Sequence, residues 1–98
     1  MKQENDAENN LFQQLTGLFR NTQKAHHRAY IETDGADDEW PLWYAGQMHE
    51  ELAKLLNSRF TKSELVYLIV QADKEQKLYA PGSDWATYYA HFFLDRYA

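Results

Sequence analysis

Residues 61–79, TKSELVYLIVQADKEQKLY, carry the reading that decides the fold. Thr61 and Glu64 stand at the spacing of a capping box, in which each side chain satisfies the other residue's free backbone amide at a helix start. The apolar run Leu65–Val70 follows at once. Leu65, Leu68, Ile69 and Ala72 recur at steps of three and four and form one stripe, while Val66 and Val70 form a second. A helix over about 62–79 is predicted, either central in a bundle or shared between subunits.

Working outward, Ala80-Pro81-Gly82 stops that helix and Ser83 or Asp84 can cap another, whose broad aromatic face carries Trp85, Tyr88, Tyr89, Phe92 and Phe93. Upstream, Asp37 or Asp38 can cap a helix that tolerates Pro41 in its first turn, where no intrahelical amide bond is lost, and that runs to about Leu56. Tyr44, Met48, Leu52 and Leu55 are its core line. Trp40 and Trp43 fall on other sides, Trp43 in line with Gln47, Glu50 and Lys54.

A first helix should start near Glu8, with Leu11, Phe12, Leu15, Leu18, Phe19, Thr22, Ala25, His26 and Ala29 on one stripe. Gly17 within it suggests a bend or a close helix approach, and Thr33-Asp34-Gly35 makes the turn that follows. The fold class is therefore all-α, a compact bundle of about four helices. Residues 9–98 form a single domain, preceded by a mobile polar segment, 1–8.

A chain of 98 residues has room for one core, and three Trp, seven Tyr and five Phe supply much of its area. Without cysteine there is no disulfide framework and no zinc-thiolate site, which points to a reducing, cytoplasmic setting. Residues 1–10 lack the basic start and apolar run of an export signal. Leu65–Val70 is far short of the ~20 residues that span a bilayer. The net charge of −5, with ten scattered Lys and Arg, argues against nucleic acid and anionic membrane as partners.

Chemistry concentrates in residues 26–44, HHRAYIETDGADDEWPLWY. The stripe puts His26 inward, one turn below Tyr30, with His27 turned toward the edge. The ordinary reading is a core-facing histidine hydrogen-bonded to a carbonyl or carboxylate. The functional one pairs it with Glu32, Asp34, Asp37 or Asp38, which would fix its tautomer. The candidate ligand site is His26, His27, Tyr30, Asp34, Trp40, Trp43 and Tyr44. A metal set of His26, Asp34, Asp37 and Asp38 is weaker, because DGADDE has Gly second where a calcium loop needs it sixth.

Other motifs fail. A carboxylate-bridged dimetal bundle needs Glu-x-x-His on two helices, and neither acidic helix has it. No phosphate-binding Gly loop or nucleophile elbow exists, and no cofactor is implied. Asp73 reads as the partner of a neighbouring Lys or Arg. Lys24, Arg28 and Lys54 could hold an anion near the turn, although such residues are more often a solvated helix face.

The segments AHHRAYIETDG, EWPLWYA and SELVYLIVQADKEQ resemble a family of small bacterial proteins of uncharacterised function. The resemblance covers roughly residues 22–97. It implies the domain limits and no substrate, cofactor or catalytic residue.

The leading expectation is a non-enzymatic cytosolic domain acting through protein-protein interaction, as a homodimer or accessory subunit, with Trp43, Val66, Val70 and Phe93 as its interface. The alternative is a small enzyme or a ligand- or metal-binding protein. Its pocket, for a small molecule, would lie between the first two helices around His26 and the 32–44 turn.

Overall fold

The helix boundaries follow from local hydrogen bonding. Thr61 is extended, its hydroxyl oxygen accepts the Glu64 N–H at 3.0 Å, and its own N–H donates to the Glu64 carboxylate at 2.7 Å. The predicted capping box is complete. In the computed structural model, which describes residues 2–34 and 36–97 with side chains from residue 9 onward, the order is α1 (Lys2–Ala29), a 3-10 turn (Ile31–Thr33), α2 (Trp40–Leu56), α3 (Lys62–Tyr79) and α4 (Trp85–Tyr97). No strand occurs among the described residues. The protein is an all-α bundle of four helices.

Asp84 caps α4, accepting the Thr87 N–H at 3.1 Å and the Thr87 hydroxyl at 2.7 Å. These bonds, with the Arg20 guanidinium nearby, hold the Asp84 carboxyl below its usual 3.8. Ser83, the other expected cap, instead donates back to the Ala80 carbonyl at 2.7 Å. At the end of α2, Asn57 turns left-handed at φ 50°, which an Asn tolerates better than most residues.

Two boundary expectations need correction. Helix α1 begins at Lys2 rather than near Glu8, because Lys, Gln, Glu and Ala sustain a helix without adding to an apolar stripe. Met1, and Gly35 of the expected turn, lie outside the described residues. At α2 the cap position belongs to Glu39, which makes no side-chain capping bond. Asp38 is exposed one residue before that position, and Asp37 sits two residues before it. The Asp37 carbonyl accepts the Trp40 N–H at 3.2 Å, and its carboxylate is committed elsewhere.

Each helix packs on its chain neighbours, and α4 closes the ring against α1. The 28 residues of α1 are roughly 42 Å long at about 1.5 Å each, which accounts for most of the 49 Å long axis. Leu15 and Phe19 from α1, Met48 and Leu52 from α2, Leu65 and Ile69 from α3, and Tyr89 and Phe93 from α4 are fully enclosed. No helix among the described residues is long and apolar enough to cross a membrane.

Phe93 was expected at an interface, yet it is 0 % exposed and packs on Phe19 inside its own chain. Its helix faces both α1 and α3, so its wide aromatic face is consumed internally. Val66 and Trp43 are half-buried against the same core, and Val70 is half-exposed on α3. Nothing lies within 4 Å of a Cβ built on Gly17, so the close helix approach suggested there is absent. Gly17→Ala should accordingly raise stability by about 0.5–1 kcal/mol in urea titrations, and a loss would mean that this turn of α1 departs from regular helix.

Candidate functional site

Leu15, Phe19, Thr22 and His26 lie on one line along α1, so the stripe that builds the core also carries a histidine inward. After Ala29 the 3-10 turn and Asp34, left-handed at φ 56° and ψ 38°, reverse the chain. The Thr33 hydroxyl braces the reversal, 3.1 Å from the Tyr30 carbonyl and 2.9 Å from that of Ala36. This returns Asp37 to the end of α1. Its Oδ2 lies 3.1 Å from Nε2 of His26, and its Oδ1 accepts the Glu39 N–H at 3.1 Å. Both side chains of the pair are only 9 % exposed.

An ionised carboxylate can only accept, so Nε2 carries the hydrogen and a neutral His26 keeps its lone pair on Nδ1. Aromatic rings fix the imidazole from other sides. Tyr30 lies 4.8 Å away centroid to centroid, Trp43 5.0 Å in a T-shaped arrangement, and Tyr44 5.0 Å. Burial pushes the Tyr44 phenol above 10.0, and burial with the nearby charges of Asp37 and Glu39 does the same for Tyr30. These phenols stay protonated at neutral pH, and Tyr44 is the one that lines the neighbouring cleft.

The imidazole lines a cleft of about 830 Å³, within the usual range for small-molecule sites. Its α1 wall is Arg20, Gln23, Lys24, His26, His27 and Arg28. Asp37, Trp40, Tyr44, Asp73 and Trp85 line the rest. Arg20 is held by Asp84 at 2.8 Å, and Asp73 pairs with Lys77 at 3.0 Å as the sequence suggested. Tyr44 meets Trp40 and Trp85 edge-on, each at 5.6 Å, giving a continuous aromatic surface.

Of the candidate ligand residues, His26, His27, Trp40 and Tyr44 line this cleft. Tyr30 and Trp43 support His26 without lining it, and Asp34 is exposed in the turn. The metal set does not assemble. Only His26 and Asp37 meet, Asp34 and Asp38 are exposed, and among the described residues no three His, Asp or Glu side chains are placed to share an ion. The physical reason is the turn itself, in which the left-handed Asp34 and the exposed Asp38 are not gathered around the histidine.

Sequence reasoning missed Arg20, Gln23 and Trp85. Arg20 had a signal in the spacing of Arg20, Lys24 and Arg28, four apart and therefore on one helix face, which Gln23 shares at three residues from Arg20. Trp85 had none, because only the packing of α4 on α1 brings it near. Comparison with known protein families, with characterised proteins and with solved structures gives no match for this chain.

Proposed function

We propose that this protein binds a small molecule in the cleft beside α1, with the His26-Asp37 pair as a polar anchor and Trp40, Tyr44 and Trp85 as apolar walls. The observation that carries the reading is a nearly enclosed His-Asp pair on the floor of a cleft of about 830 Å³. Desolvating two ionisable groups is costly, and an apolar pair of similar volume often packs at equal or better stability. Stability alone therefore does not call for this pair, whereas a ligand needing one fixed donor or acceptor among aromatic rings does.

Association through Trp43, Val66, Val70 and Phe93 has less support. Phe93 is enclosed, Trp43 packs on His26 and Val66 on the core, which leaves Val70 alone from that set.

Melting curves with a panel of nucleosides, heteroaromatic acids and phenolic compounds test the proposal. A native-state ligand at ~100 times its Kd adds about 2.7 kcal/mol, which moves the Tm of a domain this size by many degrees. Gln23 is exposed and lines the cleft, so Gln23→Trp should obstruct it without entering the core and should abolish the shift. A panel with no shift, or a shift of equal size in Gln23→Trp, would overturn the assignment.

A further inference from the structure

Charges along the cleft are unevenly compensated. Its two carboxylates are engaged, Asp37 by His26 at 3.1 Å and Asp73 by Lys77 at 3.0 Å, and Arg20 is engaged by Asp84 at 2.8 Å. Lys24 and Arg28 also line it, yet neither forms an ion pair among the described residues. They stand four apart on α1, one above the other, where like charges repel by a few tenths of a kcal/mol. In a chain of net charge −5, these two adjacent exposed cations on the wall of the cleft are a favourable place for an anion. The acidic residues of the turn, Glu32, Asp34, Asp38 and Glu39, do not line the cleft.

We infer that the ligand of this cleft is a planar aromatic molecule bearing an anionic oxygen group, a phosphate or a carboxylate, with the anion on Lys24 and Arg28 and the ring against Trp40, Tyr44 and Trp85. The inference rests on the small-molecule reading above and names its ligand class. The guanidinium of Arg28 offers a planar fork that matches two oxygens of such a group, Lys24 adds a point charge one turn away, and exposed His27 borders the same wall. Across from them, the edge-to-face rings of Trp40, Tyr44 and Trp85 suit an aromatic body rather than a flexible chain. His26, with Nε2 held by Asp37, lines the same cleft.

The matched probes 1-naphthyl phosphate and 1-naphthol separate the two parts of the proposal. At about 0.15 M salt, where exposed charges beyond roughly 8 Å are screened, the phosphate should bind at least about tenfold tighter in calorimetric titration. The variant Lys24→Gln/Arg28→Gln alters two exposed side chains and should melt at or slightly above the parent. In it the preference should vanish while naphthol affinity stays unchanged. Equal or tighter binding of naphthol by the parent, or a preference that survives the double substitution, would overturn the anionic assignment and leave the cleft as a site for neutral rings. Binding of neither probe would overturn the cleft reading together with it.

Discussion

Phe19→Ala is expected to lower the unfolding free energy by about 3–5 kcal/mol, the range for emptying an enclosed phenylalanine site. Phe19 is 0 % exposed and is one of the rings through which α1 engages α4. It meets Trp85 edge-on at 6.0 Å, Tyr89 edge-on at 5.7 Å and Phe93 in a tilted arrangement at 5.7 Å. Edge-to-face pairs add to simple area burial, and the three rings come from one helix, so the cavity cannot be filled by moving one of them alone. Against a total stability of about 5–15 kcal/mol, the loss is a large fraction of the whole. Urea midpoints read this directly. Phe93→Ala should behave alike and independently of protein concentration, as a core residue must. A loss under about 1 kcal/mol for Phe19→Ala would mean that α1 and α4 do not pack through this ring.

What the sequence made legible was set by how local each determinant is. The limits of α3 could be read because Thr61, Glu64 and the Ala80-Pro81-Gly82 stop act within a few residues of the ends they define. The start of α1 could not, since residues 2–8 carry helix-forming residue types but no apolar recurrence, and periodicity is blind to a helix whose sequence has none. Phe93 shows the complementary limit. Six aromatics on α4 exceed one stripe, and counting faces cannot distinguish a surplus from a helix wedged between two neighbours.

The candidate site divides in the same way. The inward direction of His26 follows from the α1 stripe, and the stretch 26–44 was rich enough to mark the region. Which carboxylate reaches the ring was undetermined, since four lay within the turn and the choice depends on a 3-10 segment followed by a left-handed residue. The metal set failed at that point. Asp73 and Trp85 reach the cleft from α3 and α4, so its far side exists only once the bundle has closed.

Asp37→Ala should cost about 2–3 kcal/mol, because it leaves the Nε2–H of a ring that is 7 % exposed without an acceptor and also removes the acceptor of the Glu39 N–H. Tyr30, Trp43 and Tyr44 close in on the imidazole, so it cannot easily swing out to water for compensation. Asp37→Asn is the informative control. Its amide oxygen can keep the Glu39 N–H while its NH2 faces the histidine, and this is satisfied if His26 moves its proton from Nε2 to Nδ1. The expected loss is then below about 1 kcal/mol, with a tautomer change visible in the 15N shifts of the ring. The same change turns Nδ1 from an acceptor into a donor. Asp37→Asn should therefore weaken binding of any ligand that donates to His26 while leaving the fold nearly as stable as the parent, a separation that a purely structural pair would not produce. If alanine and asparagine cost the same, Asp37 acts by filling space, and the orientation of His26 has no need of it.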